Sequence, residues 1–228
     1  MTTEHALSDP THSALSTALH SPEASTRLRA AMAAGTEPDP RLVDDLVARC
    51  GTEPDFFVRD MLTWALTRLP AALTVPRLIG ELVSASPQAR AQALHTLSKI
   101  GDRTAWPAIT VELLHDADPD VARAAWRAAV VLVPADEEVG LSVELAGELG
   151  RRGIEVQRSL SRALAALGEI SLDALASARR HRDPRVRAHA AATARLLDDP
   201  DSDFAYELEM ATRLANTGVP VHDSGPPC

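Results

Sequence analysis

The strongest constraint on this chain is that it repeats itself. Six stretches share one phrase, a turn residue followed by an alanine-rich run at helical spacing: SPEASTRLRAAMAAG, EPDFFVRDMLTWALTRLP, SPQARAQALHTLSKIG, DPDVARAAWRAAVVLVP, RGIEVQRSLSRALAALG and DPRVRAHAAATARLLD. Their turn markers, Pro22, Pro54, Pro87, Pro119, Gly153 and Pro184, are separated by 32, 33, 32, 34 and 31 residues. A period of this length is the signature of a stacked architecture, in which no single unit can bury its apolar face alone. Most phrases end on a residue that stops a helix, at Gly35, Pro70, Gly101, Pro134 and Gly168. Between each stop and the next turn lies a second apolar-periodic segment, RLVDDLVARC, ALTVPRLIGELV, TAWPAITVELLH, EEVGLSVELAGELG or SLDALASAR. The predicted unit is therefore helix, short turn, helix. HSALSTALH supplies an opening helix and DFAYELEMATRLAN a closing one, as a stack needs at its ends.

Composition agrees. Apolar residues make up 45% of the 228 and aromatics only 3%, a balance that favours a helical globular core over strands. The formal net charge is −9 and Lys99 is the one lysine, which argues against a general binder of nucleic acid. No apolar run reaches membrane-spanning length and MTTEHALSDPTHS has no signal-peptide pattern, so the expectation is a cytoplasmic protein. Cys50 and Cys228 form neither a disulfide framework nor a four-ligand metal spacing, and Cys50 reads as a small core residue. The eight histidines do not cluster; His181 and His189 are two turns apart but across a break, so no metal site is expected. No phosphate-cradling loop, G-x-S-x-G or catalytic carboxylate pair is present, and the expectation is a non-enzyme without a cofactor.

Aligning the second helices on their stops produces columns. Apolar residues recur at i, i+4, i+7, i+8 and i+11, as Val58, Leu62, Ala65, Leu66 and Leu69 in one copy and Ala122, Trp126, Ala129, Val130 and Val133 in another, which is one helical face. Trp126 shares its column with Leu62, Ala93 and Leu160 and is expected to be core. Arg59, Arg90, Arg123 and Arg187 flank that face and are expected to form a ladder of hydrogen bonds and ion pairs between repeats. Pro76 and Pro107 fall early in two first helices and read as helix starts.

The phrases VPRLIGELV with SPQARAQALHTLSKIGD, AWPAITVELLHDADPDVARAAWRAAV and DPRVRAHAAATARLL resemble HEAT repeats, in the short bacterial form also found as the PBS-lyase-type repeat. The resemblance covers residues 12–217, and its most specific elements are the D-P-x-V-R type turn at Asp183 to Arg187 and the V-P-x-L start at Val75 to Leu78. It implies an all-α, right-handed α-solenoid of about six repeats, with second helices lining the concave side. It also implies a non-catalytic scaffold or adaptor that holds a partner. Similar blocks occur in actinobacterial HEAT proteins, some appended to MerR-type regulators, which keeps open a sensor that binds a small molecule such as a natural product. The pair Asp60 and Trp64 resembles in outline the tryptophan and aspartate of HEAT-like alkylpurine DNA glycosylases, which leaves a DNA-binding reading at low weight. HEAT-like repeats also occur in phycobilin lyases, but nothing in the sequence marks a bilin pocket.

If the apolar columns point inward, the concave lining carries Arg29, Met32, Asp60, Trp64, Thr67, His95, Ser98, Arg127, Arg158, Arg162 and Arg195. Arginines outnumber the single aspartate there, whereas Asp44, Asp45, Glu81, Glu112, Glu144, Glu148, Glu207 and Glu209 fall on the first helices and the closing helix. The predicted partner-binding residues are Asp60, Trp64, His95, Arg127, Arg158, Arg162 and Arg195, facing a protein or peptide of anionic character. Trp64 stands outside the apolar columns, where an exposed indole suits a binding hot spot. Residues 1–11 and 218–228 are expected to be mobile tails.

Overall fold

In a computed structural model of the chain, residues 10–217 are described, and all regular structure among them is helical. Residues 1–9 and 218–228, which hold most of the two expected tails, lie outside the described residues. The chain divides after Leu132 into two compact units, a boundary inside the expected repeat span of 12–217. The first unit holds α1 (Pro10–Leu19), α2 (Ala24–Thr36), α3 (Val43–Cys50), α4 (Phe56–Thr67), α5 (Ala71–Glu81), α6 (Pro87–Ile100), α7 (Val111–Leu114) and α8 (Pro119–Leu132). The second holds α9 (Glu138–Ala146), α10 (Ile154–Ala166), α11 (Leu172–Ala178), α12 (Pro184–Asp198) and α13 (Phe204–Thr217). In the first unit α2, α4, α6 and α8 pack in file, with α3 and α5 adjacent behind them. In the second, α10, α12 and α13 pack in file, with α9 against α11. Both units are therefore stacked helix pairs, the all-α repeat packing expected from the period.

The turns explain why the second helices start where they do. Asp55 accepts from the Phe57 and Val58 N–H groups, Ser86 from Ala89, Asp118 from Asp120 and Val121, and Asp183 from Arg185, at 2.8–3.3 Å. Each satisfies first-turn donors that have no partner inside the helix. Asp118→Ala is expected to cost about 1 kcal/mol, read as a lower urea midpoint at unchanged m.

A second column lies two residues ahead of the cap, where no single residue type repeats. Ser21, Glu53, Ser84, Asp116 and His181 accept the N–H of Glu23, Asp55, Ser86, Asp118 and Asp183 at 2.8–3.3 Å. The arginine column closes these same turns. Arg59 donates to the Glu53 and Pro54 carbonyls, Arg90 to Ser84, and Arg187 to His181 and Arg182, at 2.8–2.9 Å. Arg59, Arg90 and Arg187 thus hold the turn before their own helix first, whereas Arg123, expected in the same column, reaches Asp120 of its own helix at 3.4 Å. The expected rung to the next repeat forms where an acceptor stands there: Arg90 reaches Asp116 at 3.0 Å and Arg187 the Ala215 carbonyl at 3.1 Å.

Arg27 belongs to this column too, and its rung is the most buried. It donates to the Ser21 and Pro22 carbonyls and forms a two-pronged pair with Glu53, both contacts at 2.7 Å. Its place, four residues after Glu23 as Arg59 is four after Asp55, Arg90 after Ser86 and Arg187 after Asp183, puts it in the same column.

The predicted apolar face is the core. Val58, Leu62, Ala65, Leu66 and Leu69 are buried, as are Ala122, Trp126, Ala129 and Val133, with Val130 half-buried. Trp126 also places its one polar atom, its Nε1–H donating to the Leu114 carbonyl at 2.8 Å.

Three local expectations are corrected. Gly35 is not a stop: α2 runs on to Thr36, and Gly35 is buried against the ring of Trp64, where no Cβ fits. Pro76 is not a start but the sixth residue of α5, whose Thr74, Val75 and Leu78 are buried, so core packing outweighs the lost N–H. Pro107 sits in a 3-10 segment, Arg103–Ala108, and the α-helix that follows is a single turn, α7. Short, tighter i to i+3 turns take over where the proline interrupts the α-helical bonding.

Candidate partner-binding face

The outer sides of the second helices are where the predicted site residues fall, and each unit carries its own set. In the first unit Asp60 and Trp64 are on α4, His95 on α6 and Arg127 on α8. In the second unit Arg158 and Arg162 are on α10 and Arg195 is on α12.

Trp64 is 38% exposed, and the covered part of its indole lies on Gly35 of α2. The absence of a side chain at Gly35 is what seats the ring. A tryptophan outside the apolar columns therefore does have a packing partner, one that no column alignment reveals because the partner is a glycine. Thr67 donates its hydroxyl to the Trp64 carbonyl at 2.7 Å near the end of the helix. The exposed Met32 lies one turn before Gly35 on α2, so an aliphatic and an aromatic surface occur on successive helices.

Asp60, His95 and Arg127 lie within electrostatic reach across three successive helices. Burial holds the half-buried His95 imidazole below its ordinary range; Arg127 and Lys99 push the same way and Asp60 opposes them. His95 is thus neutral at pH 7, able to donate from one ring nitrogen and accept at the other. Arg127 is exposed, and its Nε reaches the Arg123 carbonyl at 3.4 Å.

The second unit's arginines differ in how far they are already neutralised. Arg158 pairs with Glu155 of its own helix at 3.3 Å, and Arg195 with Glu207 of α13 at 3.8 Å. Arg162 is exposed, with no ion-pair partner among the described residues. The expected division of charge holds less simply than the sequence implied. Glu148 is buried beneath Arg151 and Arg152, at 2.6 and 3.2 Å, and is not a surface charge.

The sequence passed over a buried polar cluster in the second unit. His189 is fully buried, with ring nitrogens 3.0 Å from the Gly150 backbone nitrogen and 2.9 Å from Ser161 Oγ. The signal lies in the period: His189 stands five residues after Pro184, as Gln92 does after Pro87, and Gln92 likewise donates to a neighbouring helix, at Thr63 Oγ1 (2.9 Å). Among the described residues no group of three His, Cys, Asp or Glu could hold a metal ion, and no helix is long and apolar enough to cross a membrane.

No protein-family profile matches the chain, and no curated protein matches it in sequence. Among solved structures, an engineered protein is 21% identical with a TM-score of 0.46, over 87% of this chain and 96% of that one. The complex of CpcE and CpcF of phycocyanin lyase from Nostoc sp. PCC7120 is 18% identical with a TM-score of 0.40, over 94% and 98%. Both superpositions are loose, so the class rests on the chain's own geometry: this is an all-α helical-repeat protein. Its first unit carries a part-exposed tryptophan seated on a glycine, beside polar groups drawn from successive repeats.

Proposed function

We propose that the protein is a non-catalytic scaffold that captures an anionic peptide segment of a partner on the solvent-facing side of its second helices, opposite their apolar columns. The observation that carries this reading is Trp64, an indole held in place by Gly35 while more than a third of it stays in contact with solvent. A pre-seated aromatic loses little conformational freedom on binding, which is why such side chains dominate interface energetics. Asp60, His95 and Arg127 add hydrogen-bonding and charge beside it, and the second unit carries a cationic patch of its own in Arg158, Arg162 and Arg195. Planar guanidinium groups suit carboxylates because two N–H bonds can be made at once. With a net charge of −9 the molecule repels a polyanion overall, so a short acidic segment fits this reading and nucleic acid does not.

The test is capture from an extract of the native host, quantified by mass spectrometry, with the intact protein, Trp64→Ala, and Arg158→Glu with Arg162→Glu as baits. A partner retained by the first and reduced at least tenfold on Trp64→Ala supports the reading, provided the melting temperature stays within a few degrees, and a like loss on the arginine variant assigns the second unit's patch to the same partner. A partner held equally by all three overturns it. The small-molecule reading is favoured by an open cleft of about 610 Å³ between α1 and α2, lined by Leu15, Ala18 and Arg29. Under that reading a metabolite screen raises the melting temperature, and Arg29→Ala removes the shift.

A further inference from the structure

We propose that the turn of residues 147–153, at the foot of α10, is an acid-released latch, held closed by the neutral ring of His189 and opened when that ring takes up a proton. This turn departs from its counterparts. Gly153 caps α10 without a side-chain bond, and the turn contains two residues in the left-handed region, Gly150 at φ +74° and Arg152 at φ +63°. Arg152 has a Cβ, so that conformation costs about 1 kcal/mol and persists only where surrounding contacts enforce it. Three contacts do so: buried Glu148 accepts from Arg151 and Arg152, Gln157 donates to the Arg152 carbonyl at 2.9 Å, and His189 reaches in from α12.

The protonation state of His189 follows from its partners. A backbone N–H only donates, so the Nδ1 atom 3.0 Å from the Gly150 nitrogen must carry a lone pair, and the ring proton sits on Nε2. Nε2 faces Ser161 Oγ at 2.9 Å and the Gln157 carbonyl at 3.1 Å, both able to accept. Ser161 lies 2.7 Å from Thr193 Oγ1, whose own proton goes to the His189 carbonyl at 2.9 Å. Every donor has an acceptor only while the ring is neutral. A proton on Nδ1 sets two donors against each other and leaves a cation in a buried site.

Among the described residues no neighbouring charge offsets that cost. Glu148, Arg151 and Arg152 of the turn pair with one another. On the packed helices, Arg158 and Arg195 are paired with Glu155 and Glu207, while Arg162 and Asp173 are exposed. From α13 Phe204 meets the ring edge-on, at 5.7 Å between centroids. Burial accordingly pushes His189 from an ordinary 6.5 down to about 4, opposed only by the Gln157 carbonyl. The closed turn therefore binds a proton less readily than the open one, and opening is favoured progressively as pH falls from 6.5 toward 4.

Hydrogen exchange on the full chain at about pH 7 and about pH 5, corrected for intrinsic rates, tests this. Over residues 147–166 and the first turn of α12, protection is expected to drop roughly 30-fold, one and a half pH units at tenfold each, while α4 and α6 keep theirs. His189→Asn presents an acceptor to the Gly150 N–H that never titrates and is expected to abolish the pH dependence. Constant protection in the parent, a loss shared equally by α4 and α6, or the same loss in His189→Asn overturns the latch. Nitrogen shifts of the ring give an independent readout: a proton on Nε2 at neutral pH, moving to both nitrogens as the turn opens, is expected, and a proton on Nδ1 at neutral pH overturns the proposal.

Discussion

Replacing Glu53 by Gln is expected to destabilise the first unit by roughly 3–5 kcal/mol, the range for removing one partner of a buried ion pair. Glu53 is fully buried and accepts four bonds: two from Arg27 and one from Arg49 at 2.7 Å, and one from the Asp55 N–H at 2.9 Å. An amide in its place turns two donor protons toward these donors and leaves two guanidinium groups with half their partner. Chemical denaturation of the full chain reads the loss, together with a fall of roughly 10 °C in melting temperature. A cost below about 1 kcal/mol would mean the carboxylate is no more than a surface charge.

The same residue predicts an acid limb. Burial by itself raises the carboxyl pKa, but the bonds from Arg27, Asp55 and Arg49 more than offset it and bring the pKa from 4.5 to about 2. The folded value is depressed, so the stabilisation is present in full above about 4.5 and is lost as pH falls toward 2. A shift of that size corresponds to about 3 kcal/mol, and Glu53→Gln is expected to flatten the stability profile in this window. The window meets that of His189 only between about 4 and 4.5, so the loss above pH 4.5 reports His189 and the loss below pH 4 reports Glu53.

Gly150→Ala is the second large effect, at about 3 kcal/mol, from two sources acting together. At φ +74° a Cβ is strained, and it would lie 2.7 Å from the Val186 nitrogen and 2.9 Å from the Arg185 carbonyl carbon. Those atoms are backbone in the first turn of α12, so no rotamer change relieves the contact. Gly101 separates the two sources. Its φ is +71°, yet no heavy atom lies within 4 Å of a Cβ built there, so Gly101→Ala is expected to cost only about 1 kcal/mol. Equal costs at the two glycines would show that packing against α12 contributes nothing.

These effects fall where sequence reading was partly blind, for identifiable reasons. Columns of like residues reveal what every repeat does in the same way, so the apolar faces, the turns and the arginine column were legible. Glu53 and Asp116 were missed because the same position holds Ser21, Ser84 and His181 in other copies: the conserved element is an acceptor atom, not a residue type. Trp64 could be placed on an outer face, but its seat on Gly35 could not, since a glycine gives no hydrophobic signal. Asp60, His95 and Arg127 could be assigned to one side of their helices by periodicity. Which arginines remain unpaired depended on Glu155 and Glu207, whose reach is a matter of side-chain geometry.

By itself the sequence determined the repeat unit, the helical class, the buried face of each second helix and most helix starts. Those follow from local rules, a period near 32 residues and a helical pitch of about 3.6, that act within one copy at a time. The tertiary structure decided that Pro76 stays inside a helix, that Gly35 packs instead of stopping one, that Arg27 and Glu53 lock the first turns together, and that His189 holds Gly150. Each of these depends on atoms some 26 to 39 residues apart, or on core burial outweighing a local preference, and such distances exist only once the helices have stacked.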